Sequence, residues 1–367
     1  DKNTFIQLAA TSSRVPVCGQ EKIPDLDLSK IFQELFLQTK NSFLFESAMG
    51  PEETARYSLM GGGCSKILEI KGQRASLFHE DKLVSEWDQP GPALDLLNFE
   101  KKVLPVDHLP HFWGGWVGFL GYEAGAWFES LPIRESPENN LPDFLFMEVE
   151  RLFLYDHITE EFKFILSPKT DGAGSSYDEL NSEIKKVWEN IYQVLHDIEE
   201  RKKSDVEPLT PLPSNGLKSN LSEADYSERV EKAKSYIQEG DIYQANLAQK
   251  FETRFKGNPF ELYGRLRKVN PSPFSGYLNF QNFSLVSSSP ERLVKVHEHN
   301  IETRPIAGTR PRGQADEEDK ALSKELLLNP KERAEHLMLV DLERNDLGRI
   351  CKAGSVSVTD FMFLEKY

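Results

Sequence analysis

Four segments carry residue types that can do chemistry. Ser287 to Arg292 (SSSPER) sets the carboxylate of Glu291 at the start of a strand, behind a proline that cannot donate to a ladder. A carboxyl leaning into a cleft there is suited to general acid work, because desolvation raises its pKa toward neutrality. The structural alternative is a surface ion pair with a neighbouring arginine. Arg304 to Gly313 (RPIAGTRPRG) gathers three arginines, two prolines and two glycines in ten residues. Such a stiff loop presents backbone amides and guanidinium groups, a combination suited to a carboxylate ligand. An ordinary exposed turn is the alternative.

The third segment is a helix from Lys331, on which Glu332 and His336 lie four apart and Glu335, Leu339 and Leu342 follow a neighbouring line. Glu335 precedes the apolar run Leu337 to Val340. Mg²⁺ takes one or two carboxylates plus waters and substrate oxygens, so one inward glutamate supplies half of a protein's share. An exposed, salt-bridging glutamate fits the pattern equally. The fourth segment, Asp241 to Leu247, alternates so that Gln244 and Asn246 share a face with Ile242 and Ala248. It reads either as a solvated edge or as the polar wall of a pocket.

Two other patterns carry less. Gly114 to Gly118 (GGWVG) resembles a dinucleotide-binding turn, but no βαβ unit or ribose-binding acid follows at the proper distance. His297-Glu298-His299 falls at an expected hairpin turn without further metal ligands.

Those residues need elements to hold them. Between Ser42 and Leu166, short apolar or alternating runs separated by turn residues predict a sheet: Lys66 to Ile70, Arg74 to His79 and Phe144 to Tyr155. Helical spacing predicts a helix over Tyr177 to Arg201. Ser222 is placed to cap another, which Gly240 ends, and a strand is expected over Ile242 to Phe251. Asn258-Pro259 opens a helix to Lys268, after which Phe274 to Phe280 pairs with Phe283 to Ser288, and Arg292 to Val296 with Ile301 to Ile306. Helices over Glu317 to Leu328 and Lys331 to Asp346 follow. Asp205 to Asn220, rich in Pro, Ser and Asn, is the strongest boundary. It divides the chain into a sheet-rich lobe (1–204), a linker (205–221) and a catalytic region (222–367). Hairpins with helices between them favour a layered α/β (α+β) sandwich over a doubly wound parallel sheet.

The chain has 367 residues, 39% of them hydrophobic and 28% charged, with 23 Phe, which is apolar material enough for a globular core. A net charge of −15 repels phosphate backbones and anionic lipid, which argues against nucleic acid as a partner. The Arg304–Gly313 loop is the local basic cluster an acidic protein needs for an anionic substrate. Cys18, Cys64 and Cys351 form no CxxC pair, and no leader or membrane-length apolar run is visible; a reducing cytoplasm is expected.

Taken in order, FLFES (Phe43 to Ser47), ARYS (Ala55 to Ser58), GGWVGFLGYE (Gly114 to Glu123), GDIYQANLAQ (Gly240 to Gln249), SSPER (Ser288 to Arg292), RPIAGTRPRG and KERAEHLMLVDLERNDLGR (Lys331 to Arg349) resemble the chorismate-utilising enzyme family. The resemblance implies a two-layer β-sandwich with helices, a chorismate site in the C-terminal half, and Mg²⁺ bound by Glu335. It implies that Glu291 assists departure of the C4 hydroxyl, with Thr309 and Gln244 as further catalytic residues and Ile306, Ala307, Gly308 and Arg310 against the substrate. Relatives that add water to chorismate resemble one another in a lysine base at the position of Gln244. Glutamine cannot deprotonate water at neutral pH, so an amine nucleophile is expected, drawn from a glutamine amidotransferase partner.

YQANL, PFSGYL (Pro273 to Leu278), FLGYE and LERNDLGR resemble the aminodeoxychorismate synthase branch, whereas RPIAGT resembles the anthranilate synthase branch. The larger number of segments favours the first. Ala307 stands where the first branch typically resembles itself in a nucleophilic lysine, so no covalent adduct at ring C2 is open to this chain. Glu46 and Ser47 lie in the segment that resembles a tryptophan effector site, with Glu46 placed to pair with the amino group. The chain stops at Tyr367, before the family's GSxTGAPK segment, its catalytic histidine and its second magnesium-binding glutamate. The expectation is that these residues alone are inactive, or bind chorismate or tryptophan without turnover.

Overall fold

The computed structural model describes residues 2–47, 55–97, 109–129, 131, 141–169, 177–201 and 216–366. From the N-terminus come α1 (Lys2–Ala9), β1 (Val17–Lys22), α2 (Leu28–Phe36), β2 (Ser42–Glu46), β3 (Tyr57–Gly61), β4 (Lys66–Lys71), β5 (Arg74–His79), β6 (Lys82–Trp87) and α3 (Pro90–Leu94). Next are β7 (Gly115–Leu120), β8 (Phe144–Val149), β9 (Arg151–Asp156), β10 (Glu161–Leu166) and α4 (Tyr177–Arg201). Then follow β11 (Lys218–Ser219), α5 (Glu223–Glu239), β12 (Phe251–Glu252), α6 (Pro259–Val269), β13 (Phe274–Asn279) and β14 (Ser284–Ser289). The hairpin of β15 (Lys295–His297) and β16 (Asn300–Glu302) leads to α7 (Asp316–Leu328) and α8 (Pro330–Ile350).

Two antiparallel sheets organise these elements, with strand orders β1-β10-β9-β3-β2-β13-β14 and β6-β5-β4-β8-β7. Strand periodicity assigns the faces of the larger sheet. Leu44, Phe153, Phe164 and Tyr277 point to a core closed by α2, α4 and α6, where Phe32, Ile184, Trp188, Phe260 and Tyr263 meet them. Their chain neighbours Phe43, Leu152, Ile165 and Leu278 point the other way, against Val117, Met147 and Val149 of the smaller sheet. Its outer face packs Leu68, Ile70 and Phe144 on Ala93 of α3. The expected sandwich with helices is what these residues build.

The apolar run Phe144 to Tyr155, read as one strand, is two: β8 belongs to the smaller sheet and β9 to the larger. The corner at Glu150 is held by charge, since buried Arg14 reaches Glu150 at 3.1 Å and also pairs with Glu148, which Lys66 meets at 3.0 Å. Three elements precede Ser42 that periodicity did not single out. One of them, α2, is capped by Asp27, whose carboxylate accepts from Ser29 N at 3.2 Å.

Backbone contacts divide the chain into one unit of Asp1–Glu199 with Pro259–Tyr367 and another of Glu200–Asn258. This differs from the expected lobe, linker and catalytic region, because β13 pairs with β2 and so carries residues after the expected linker into the first sheet. Residues 205–215 of that linker lie outside the described residues. In the second unit, Ser222 caps α5 through a reciprocal bond pair with Asp225, and Gly240 ends it at φ +82°. The strand expected over Ile242 to Phe251 is not formed. Only β12 finds a ladder partner, β11, and the preceding backbone is irregular, with Gln244 and Asn246 exposed. Alternation gives a strand only where a neighbouring edge supplies hydrogen bonds, and Lys250 N instead donates to the Asn220 side chain at 2.8 Å.

Candidate active site

Glu291 lies just past the end of β14. Its carboxylate Oε1 accepts a hydrogen bond from Ile306 N at 2.7 Å, which ties this segment to the loop of Arg304 to Gly313. Glu291 therefore touches that loop through backbone rather than through an arginine. Further along, Gly308 adopts φ +72°, and a Cβ there would stand 2.8 Å from Glu332 Oε2 on α8. Only glycine combines that left-handed conformation with that approach.

The three arginines of the loop are each met by a carboxylate. Arg310 forks onto Glu325 of α7, with Nε to Oε2 at 2.6 Å and Nη2 to Oε1 at 3.1 Å. Its Nη1 donates to Thr309 O at 2.7 Å and to Glu332 Oε1 at 3.2 Å. Arg312 pairs with Asp319 at 2.8 Å, and Arg304 pairs with Glu365 while lying 4.7 Å from the centroid of the Phe363 ring. The hydrogen bond from Arg310, with a second from Asn329, holds the Glu325 carboxyl down at about 2. The loop reads in the sequence as a local basic cluster for an anionic substrate; here Asp319 and Glu325 of α7, Glu332 of α8 and Glu365 pair with its arginines.

A cavity of about 320 Å³ opens beside this loop, lined by Ile306 to Arg310, α7, Glu332, His336 and the segment Met362 to Lys366. Burial pushes the pKa of His336 down, and its ring lies 5.9 Å from that of Phe361. Glu335, one residue earlier on α8, does not line the cavity. It is half-buried, and no hydrogen bond or ion pair to it is found among the described residues. No group of three or more His, Cys, Asp or Glu side chains suited to a metal occurs among them either. As a hard oxygen donor not committed elsewhere, Glu335 fits one protein ligand of a Mg²⁺ ion whose other positions are water or substrate oxygen.

Glu343 was not singled out from the sequence. Burial pushes its carboxyl up, Thr303 opposes this with a hydrogen bond, and Glu291 and Asp346 add to the rise. Its position eight residues beyond Glu335, about two turns along α8, was the available signal. Gln244 belongs to the second unit.

Glu46 and Ser47 line a separate cavity of about 1170 Å³ together with Phe45, Arg56, Phe274 and Lys295. The Glu46 carboxylate is already engaged: Tyr263 donates to Oε2 at 2.6 Å, and Arg267 lies 3.2 Å from Oε1. The expected pairing of Glu46 with a ligand amine must compete with Arg267. The Ser47 hydroxyl donates to Tyr57 O at 2.9 Å.

Residues 41–367 match the chorismate binding enzyme family, and the chain belongs to that family. Among known proteins it is 37% identical to anthranilate synthase component 1 of Aquifex aeolicus, over 92% of this chain and 67% of that one. It is 36% identical to aminodeoxychorismate synthase component 1 of Bacillus subtilis, over 92% and 68%. The crystal structure of anthranilate synthase component I from Streptococcus pneumoniae superposes with a TM-score of 0.67 at 30% identity, covering 85% of this chain and 66% of that one. The chain spans about two thirds of the length of these relatives.

Proposed function

We propose that the natural full-length protein is the chorismate-aminating component of a two-component enzyme, fed with ammonia by a glutamine amidotransferase. The observation that carries this reading is Ala307. It lies on the cavity-lining loop between Ile306, whose amide is held by Glu291, and Gly308, which sits against Glu332. A methyl group has no nucleophilic atom, so no covalent adduct with the protein can form and the incoming nucleophile must attack the ring directly. Gln244 agrees, because an amide side chain cannot take a proton from water near neutral pH. Family membership and the named relatives support the substrate class.

In this reading Glu291 protonates the departing C4 hydroxyl, which leaves as water while ammonia supplies the new C–N bond. Ile306 N occupies Oε1, which leaves Oε2 for that transfer. Gly308 and Thr309 face the ring with Ile306 and Ala307. Glu335 would hold Mg²⁺, which when bound would supply positive charge for a substrate carboxylate. The product is read as 4-amino-4-deoxychorismate on the segments shared with that branch. The second reading, anthranilate with pyruvate and water, is favoured by Ala307 itself, since direct attack of ammonia at C2 leads there.

The test supplies the full-length protein with chorismate, Mg²⁺ and an ammonium salt and identifies products by mass. A nitrogen-containing product is expected, and release of pyruvate selects anthranilate. Glu335→Gln should raise the Mg²⁺ requirement, and Ala307→Lys should leave a covalent adduct visible by intact mass. Chorismate left unconsumed, or converted without nitrogen, would sink the proposal.

The cavity around Phe45, Glu46 and Ser47 supports a tryptophan effector site in the same reading.

A further inference from the structure

Arg310 is the residue whose surroundings depart most from its expected role. Four of its five guanidinium N–H groups are engaged within the protein: two on Glu325, one on Glu332 and one on the carbonyl of Thr309. We infer that Arg310, Glu325 and Glu332 are positioning residues that fix the Gly308–Thr309 backbone in the orientation the reaction needs, and that Arg310 is not a substrate ligand. This rests on the proposed amination of chorismate at that loop.

Both ends of the clamp are rigid for identifiable reasons. Asn329 closes α7 and caps α8 at once: its Oδ1 accepts from Lys331 N at 3.0 Å and from Glu332 N at 3.2 Å, while its Nδ2 donates to Glu325 Oε1 at 3.0 Å. The two carboxylates that receive Arg310 are thus held through one turn between helices. The Glu332 carboxylate also works on both sides of the loop, with Oε1 on Arg310 and Oε2 at the place a Gly308 side chain would occupy. A planar five-donor fork meeting two fixed carboxylates leaves little rotational freedom, which a lysine cannot reproduce. Its fourth bond transfers that rigidity to the Thr309 carbonyl.

The consequence is kinetic. A group displaced by about 1 Å from productive geometry costs on the order of 100-fold in rate, even where binding is little changed. In the full-length protein with ammonium as nitrogen source, Arg310→Met is expected to lower kcat by about 100-fold while KM for chorismate stays within about threefold. Arg310→Lys and Glu325→Gln, which keep one charge or the shape, should recover part of the loss at an unchanged unfolding midpoint. Glu325 is half-exposed, so its variant remains informative if Arg310→Met fails to fold. An unchanged kcat in both Arg310→Lys and Glu325→Gln would overturn the role. So would a rise in KM at constant kcat, which would return Arg310 to the substrate. A parent protein that leaves chorismate unconsumed would instead overturn the proposed function, and the positioning role with it.

Discussion

A carboxylate removed from water needs a proton or a partner, and Glu46, only 6% exposed, is offered both. Burial pushes its pKa up, while Arg267 and the Tyr263 hydroxyl pull the other way without cancelling the rise. A group with a raised folded pKa contributes stability that is complete below its unfolded value, near 4.3, and is lost as pH rises through the folded value. Glu46→Gln cannot ionise, so urea unfolding should show the variant gaining on the parent as pH is raised from about 4 toward 7. The same variant tests the effector reading. Calorimetry should detect weak tryptophan binding to the parent and none to Glu46→Gln; equal heats would remove Glu46 from that site. At this scale the residue types were readable, and the competitor Arg267, 221 positions away, was not.

At the scale of the element, the pattern GGWVG shows how a glycine can look like a nucleotide motif while answering a packing demand. Gly118 lies in β7, and a Cβ there would fall 1.9 Å from the carbonyl oxygen of Leu145 and 2.6 Å from the Cα of Phe146 in β8. Those are backbone atoms of a paired strand and cannot step aside as a side-chain tip would. Gly118→Ala should therefore destabilise the protein by about 1–3 kcal/mol or more, seen as a lower denaturation midpoint. An unchanged midpoint would mean that β7 is free to move away from β8. A hairpin did form where one was expected, because both of its strands are local in sequence, but it is shorter than Arg292–Val296 with Ile301–Ile306: β15 and β16 pair only over Lys295–His297 and Asn300–Glu302, with Glu298 at φ +52° in the turn. The expected strand at Gln244 failed for the converse reason: no edge was supplied to it.

For the molecule as a whole, the decisive feature is that β13 and β14 complete a sheet begun more than 200 residues earlier. Phe32 stands 5.1 Å from the ring of Phe260 and 5.8 Å from that of Tyr277. Each such side chain contributes on the order of 1.5–3 kcal/mol by burial. A fragment of residues 1–199 would expose Phe32 and Leu44 and leave β2 as an open edge. It should lack a cooperative urea transition and bind a hydrophobic dye. A sharp transition with native near-ultraviolet dichroism would mean instead that the first 199 residues form a domain on their own.

Local order was legible in the chain itself. Helix starts at Ser222 and Pro259, the stop at Gly240, and the β13–β14 hairpin all rest on signals within a few residues, where capping bonds and turn conformations are decided. Motif order is likewise a property of the chain alone, and it resembles that of the chorismate family. What remained for tertiary structure was every property that depends on a distant partner. The run Phe144 to Tyr155 could not reveal that it changes sheets at Glu150, because Arg14 and Lys66 hold that corner from elsewhere. The arginines of residues 304–312 looked like an anion site, since composition counts charges but does not pair them. Folding brought Glu325, Glu332 and Asp319 against them, and opposite charges within hydrogen-bond distance turn a receptor into a clamp.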